Sequence, residues 1–197
     1  QMKNTKCNIF SIPNMLSLLR LSLAPVLLGF AVAGKADAFL QILAISLVTD
    51  VLDGYLARRL DQTSEFGARL DSCGDIFTYA SMIVGIYWLW PEVFNAQARY
   101  LLAAALSFTL PVALALSKLG EYPSYHTLAA KTAALLFAPA YYLLILGGDD
   151  LFFRIVILFH VLVALEEIAI TLILRYPRSD VRSVFSLRGE VFPPREP

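Results

Sequence analysis

Four carboxylates, Asp50, Asp53, Asp71 and Asp75, sit inside segments whose flanks are apolar enough to cross a bilayer. An aspartate at such depth is unfavourable by several kcal/mol unless it meets a partner, a cation or water, and four that approach one another also repel. A divalent cation removes both penalties. Hard oxygen donors at this density suit Mg²⁺ or Mn²⁺, and two such ions a few Å apart would clamp phosphate oxygens. The stretch offers no thiolate pair or histidine pair for zinc.

The spacing says which elements must position these groups. Asp50 and Asp53 are three residues apart and Asp71 and Asp75 four, so each pair shares one face of a helix. With the polar turn at Asp61 to Glu65 at the membrane surface, Asp50 lies about 15 Å below it and Asp75 about as deep, at a helical rise of about 1.5 Å per residue. Two antiparallel helices therefore bring all four to one level. Gly54 follows Asp53, and Gly67 lies one turn before Asp71, each leaving room for a ligand to approach backbone. Arg58, nearer the surface, can grip a phosphate. Each also has a plainer reading: a glycine as a close helix contact, an arginine as a marker of the cytoplasmic side.

The composition requires a membrane setting. Of 197 residues, 58% are hydrophobic and 16% charged, and the mean hydropathy is +0.65. Net charge is zero, which gives no sign of nucleic acid as a partner. Two cysteines, Cys7 and Cys73, suggest no disulfide framework, and Cys73 reads as a packing residue. Gln1 ahead of Met2 is set aside as an addition for expression, and no cleavable signal is expected.

The predicted fold class is all-α, a polytopic membrane protein with six transmembrane helices, an N-terminal interfacial helix and the site at the cytoplasmic side. Residues 1–197 are expected to form a single domain. Ser11 can cap a helix that carries Pro13 in its first turn, with Met15, Leu16, Leu18 and Leu19 opposite Asn14, Ser17 and Arg20. The apolar run from Leu21 to Ala33 is too short to span alone and needs turns from that helix. Further spans are predicted at Ala38 to Leu60, Phe66 to Trp90, Ala98 to Ser117, Thr127 to Leu146 and Leu151 to Leu174, with Thr63 or Ser64 capping the third. The basic residues, including Lys3, Lys6, Arg20, Arg58, Arg59, Arg69, Lys118 and Lys131, gather on one side, against Lys35, Arg99 and Arg154 on the other. Both termini are therefore expected in the cytoplasm, the membrane being a bacterial inner membrane or its equivalent. The arginine-bearing tail from Arg175 could meet lipid headgroups.

The run Asp50, Asp53, Gly54, Ala57, Arg58, Gly67, Asp71, Asp75 resembles, position by position, the D-x2-D-G-x2-A-R-x8-G-x3-D-x3-D signature of the CDP-alcohol phosphatidyltransferase family. The match proper covers 50–75, and the helical layout resembles the family over most of the chain. The resemblance implies transfer of a phosphatidyl-type group from a CDP-linked lipid such as CDP-diacylglycerol to an alcohol, with release of CMP. It implies that Asp50, Asp53 and Asp71 hold two ions, and that Asp75 joins them and acts as base toward the acceptor hydroxyl. Gly54, Ala57, Arg58 and Gly67, with Ser64 in the turn, would surround the CDP moiety. The Asn14-x-x-Ser17 pair is similar to an N-x-x-T element near the nucleotide, with Ser in place of Thr. A homodimer is also implied, and small residues such as Ala103, Ala104 and Ala105 could serve it.

The signature is silent about the acceptor. His126 and Lys131 could bind an anionic alcohol, with glycerol 3-phosphate as first choice and inositol phosphate or another polar alcohol as alternatives. Of Glu166 and Glu167, one could line the cavity and recognise hydroxyls or a cationic amine while the other pairs with Arg or Lys; an acidic pocket would argue against a phosphorylated acceptor. A cation transporter would also use intramembrane acids but leaves the Gly and Arg spacing unexplained. A membrane scaffold would need none of the four aspartates.

Overall fold

The computed structural model describes residues 11–60, 65–120, 127–148 and 150–174; the side chains of residues 58, 65, 68, 69 and 128 lie outside that description. Every described element is helical: α1 (Ile12–Val32), α2 (Ala36–Arg59), α3 (Glu65–Leu89), α4 (Pro91–Leu119), α5 (Leu128–Tyr142), continued by a π-helical turn (Leu143–Gly147), and α6 (Asp150–Ile173). The ends follow from local chemistry. Ser11 caps α1 by accepting from the Asn14 N–H at 3.4 Å, with Pro13 in the first turn. Thr127 caps α5 by accepting from the Ala130 N–H at 3.0 Å. Gly34 and Gly120, which follow α1 and α4, have φ of 69° and 71°, where a side chain would be strained. The predicted caps Thr63 and Ser64 lie outside the described residues, as does the basic tail beyond 174.

The chain divides into two compact units, 1–96 and 97–197. In the first, α1 packs against both α2 and α3. Ala24, Leu27 and Ala31 of α1, Phe39 and Leu43 of α2, and Met82 and Ile86 of α3 are all buried. Small alanines let the backbones approach, and the ring of Phe39 fills the space where α3 has Gly85 instead of a side chain. Nearer the site, a polar seam continues between α2 and α3, where Ser46 and Thr78 share a hydrogen bond at 3.4 Å.

The second unit contains the rest of α4 with α5 and α6. Its core is built from Ala133, Ala140 and Tyr141 of α5, Leu144 of the π turn, and Phe153, Val156, Ile157 and Ile170 of α6. Polar bonds tie α4 to α6 near both ends. Arg154 Nε donates to Gln97 Oε1 at 3.1 Å, and Lys118 Nζ donates to the carbonyls of Thr171 and Leu172 at 2.9 and 2.6 Å. The two helices thus run parallel, and Lys118 satisfies carbonyls that the last turn of α6 leaves without helical partners.

Two expectations change. The segment 11–20, predicted as an interfacial helix, and the apolar run after it form the single helix α1. Its polar face does not turn to water: Asn14, Ser17 and Arg20 are buried while Met15, Leu18 and Leu19 are exposed. The reason is that α2 and α3 offer that face better partners than an interface does. The fourth helix also starts at Pro91 instead of Ala98, because proline is tolerated at a first helical position and Glu92 suits the positive N-terminus.

Among the described residues, five helical segments are long and apolar enough to cross a membrane: α1, Ala36–Ala57, α4, Ala129–Gly147 and α6. The helix α3, which carries Asp71 and Asp75, is not one of them. Many large apolar side chains face outward. On α6, Leu151, Ile155, Leu158, Leu162, Leu165 and Leu172 are all exposed and recur at helical spacing, a stripe that hydrocarbon would cover at no penalty and water would not.

Candidate active site

On α1 the residues Asn14, Ser17 and Arg20 recur at every third position and point into the first unit. Ser17 Oγ lies 3.2 Å from the Pro13 carbonyl one turn back and 3.0 Å from Asp53 Oδ2 on α2. One turn further, Arg20 is 1% exposed and reaches all four aspartates. Its Nη1 lies 2.5 Å from Asp50 Oδ1 and 2.6 Å from Asp75 Oδ1. Its Nη2 contacts Asp53 Oδ2 and lies 3.0 Å from Asp71 Oδ1.

Each nitrogen of the fork therefore bridges α2 to α3, pairing Asp50 with Asp75 and Asp53 with Asp71. That is the pairing an antiparallel crossing requires, since the deeper residue of one helix meets the deeper residue of the other. Gly74 lies beside it: a Cβ there would sit in ordinary contact, 3.5 to 3.7 Å from the Cδ, Nη1 and Cζ atoms of Arg20. Asp53 is buried, but the side chains of Asp50, Asp71 and Asp75 are 36%, 44% and 30% exposed, so the cluster is closed on the α1 side and open elsewhere.

The donor set fits a divalent ion. One oxygen from each of Asp50, Asp53 and Asp71 lies within 4.8 Å of the others, a spread that side-chain rotation can close onto one cation. All donors are hard carboxylate oxygens, as Mg²⁺ or Mn²⁺ prefers. Charge points the same way. Four carboxyl groups face one guanidinium, which leaves three acids in formal excess among the described ion pairs of the cluster.

Of the other residues singled out in the sequence, Gly54 and Ala57 lie half-buried on α2 and Gly67 half-buried on α3. Arg58 belongs to α2, its side chain outside the described residues, as are Ser64 and His126 entirely. Lys131 on α5 is exposed and Glu166 on α6 half-buried, both in the second unit. Sequence reasoning missed the role of Arg20, which it counted among basic residues marking the cytoplasmic side. Two signals could have found it: a charge flanked by apolar residues, and the three-residue register with Asn14 and Ser17.

Comparison with known proteins bears directly on these residues. A family model described as CDP-alcohol phosphatidyltransferase matches residues 10–174. A cardiolipin synthase (CMP-forming) of Streptomyces coelicolor is 32% identical over 72% of this chain and 68% of its own length. A CDP-diacylglycerol–glycerol-3-phosphate 3-phosphatidyltransferase of Aquifex aeolicus is 36% identical over 37% of this chain and 42% of its own. A second protein of that description, from Salmonella choleraesuis, is 35% identical over 49% of this chain and 58% of its own. The alignments thus span from less than half to about two thirds of these relatives. No solved structure matches the chain.

Proposed function

Because the chain belongs to the CDP-alcohol phosphatidyltransferase family, we propose that it transfers a phosphatidyl group from CDP-diacylglycerol to an alcohol and releases CMP. The observation that carries this reading is the meeting of Asp50, Asp53, Asp71 and Asp75, the acids of the signature, around one point on two helices. The family match runs through both compact units, which supports treating the whole as one transferase domain.

Asp50, Asp53 and Asp71, with Asp75 at the edge, would hold Mg²⁺ or Mn²⁺. A bound divalent ion supplies positive charge against the pyrophosphate oxygens and the leaving CMP. The chain's own residues do the rest. Asp75 takes the proton of the acceptor hydroxyl as its oxygen bonds to the phosphatidyl phosphorus. The bond from that phosphorus to the CMP oxygen breaks, and CMP leaves with the electron pair. Gly54, Ala57 and Gly67, lacking bulk, would leave the nucleotide space beside the acids, and Arg58 and Ser64 are assigned to the CDP moiety by their place in the signature stretch. Ser17 holds Asp53 in position. Fixed donors at the right separation supply much of the rate by positioning alone.

The acceptor is a glycerol-type alcohol. The names of the Aquifex and Salmonella relatives support glycerol 3-phosphate, bound through Lys131 and His126. A second reading is favoured by the Streptomyces relative, which shares more of the chain: an acceptor whose glycerol hydroxyl belongs to a lipid, as cardiolipin formation needs. Glu166, in a helix of the second unit, suits an acceptor recognised by its hydroxyls. All six long helices cross the membrane in this reading, the charge of the α3 acids being met by Arg20 of α1, and the basic residues put both termini and the open site in the cytoplasm. The protein works as a homodimer.

The test is CMP release from CDP-diacylglycerol by the purified chain in liposomes containing Mn²⁺, against glycerol 3-phosphate, inositol phosphate and phosphatidylglycerol in turn. Release that depends on one of these names the acceptor. Cation flux without CMP would replace the reading with a transporter.

A further inference from the structure

The aspartates are gripped by a protein cation, and that cation has no outlet of its own. Arg20 commits four N–H groups to four carboxylates, two per Nη. Its Nε is buried and meets no hydrogen-bond acceptor among the described residues. An arginine that merely fixed a fold would bind one or two carboxylates and satisfy its Nε; this one spreads its charge over an acidic cluster that outnumbers it. The oxygens it occupies on Asp50, Asp53 and Asp71 belong to the same three side chains that come within reach of a single divalent ion. A guanidinium and a divalent ion drawn to one set of oxygens compete, because like charges at contact distance repel.

We propose that Arg20 is the exchangeable counter-cation of the cluster, a positioning residue that holds α2 and α3 in register before the divalent ion binds and gives up carboxylate contacts when it does. The proposal rests on the metal reading above. Its physical logic has two halves. Without the ion, four carboxylates at one level would push α2 and α3 apart, and the fork prevents this by binding acids of both helices from α1. With the ion, the guanidinium is released from some of its four contacts. A fork freed beside the acids of a site for a lipid-linked pyrophosphate has the shape to take phosphate oxygens two at a time.

The experiment uses the chain in lipid nanodiscs and two readouts that need no turnover: Mn²⁺ binding by loss of the free-ion resonance signal, and thermal unfolding with and without saturating Mn²⁺. For Arg20→Gln, binding is expected to tighten at least about tenfold, since a competing charge a few Å away is gone. Its unfolding temperature falls below wild type in chelator, and Mn²⁺ recovers most of the deficit. Arg20→Lys, with one ammonium that cannot span four carboxylates, shows both effects in smaller measure and serves where Arg20→Gln does not fold. A deficit that Mn²⁺ leaves unchanged, or binding that weakens in both variants, overturns the proposal and makes Arg20 a purely structural residue. A wild-type chain that binds no Mn²⁺ overturns the metal reading itself, and this inference with it.

Discussion

Ser17 Oγ lies 3.0 Å from Asp53 Oδ2, so a helix that the sequence assigned to the membrane interface holds one of the signature acids from behind. Asp53 is the buried member of the four, and Ser17 and Arg20 both hold it there.

Ser17→Ala removes that bond without adding bulk. Stability should fall by about 1.5 kcal/mol, the low end for a hydrogen bond to a charged group. Mn²⁺ binding should weaken several-fold as Asp53 gains rotamers. Thermal unfolding and Mn²⁺ titration of the same sample check both.

Asp71 is the most exposed of the four acids, and it faces three like charges across the fork of Arg20. Asp71→Asn should therefore raise stability in chelator, by about 1 kcal/mol or roughly 2 to 4 °C, while abolishing the stabilisation that Mn²⁺ gives. Unfolding curves in chelator and in Mn²⁺ measure the two effects; a lower unfolding temperature in chelator would show that Asp71 is held by attraction and not by compromise.

The four acids were legible because their spacing alone places them: steps of three and four residues define helix faces whatever the surroundings. The six helices were legible from their apolar runs and from Ser11, Gly34, Gly120 and Thr127 at their ends. The inward turn of Asn14, Ser17 and Arg20 was not, because an amphipathic pattern states that one face is polar and is silent about whether water or carboxylates will satisfy it. For the same reason Arg20 was counted as a surface charge. The π-helical turn at Leu143–Gly147 left no trace in composition, since its residues are the same apolar types that continue a regular helix.

Packing of α2 on α3 gives a sharper structural test. A Cβ on Gly85 would lie 2.2 Å from Phe39 Cζ, and two more ring atoms would be nearer than 3.0 Å. Phe39 is fully buried and cannot move aside. Gly85→Ala should destabilise the protein by about 1 to 3 kcal/mol, the usual effect of overpacking. Gly74→Ala, where the nearest atom is 3.5 Å away, should unfold close to wild type in the same assay.

Asp75 carries the proposed proton transfer, and CMP release from CDP-diacylglycerol by the reconstituted chain, in Mn²⁺ and in chelator, for wild type and Asp75→Asn, tests it most directly. Wild type should turn over in Mn²⁺ and stop in chelator. Asp75→Asn should lose at least about 10²-fold in rate, the usual share of a general base, while unfolding near the wild-type temperature. Turnover that ignores the chelator, or substantial CMP release by Asp75→Asn, would contradict a metal-dependent transferase built on these four acids.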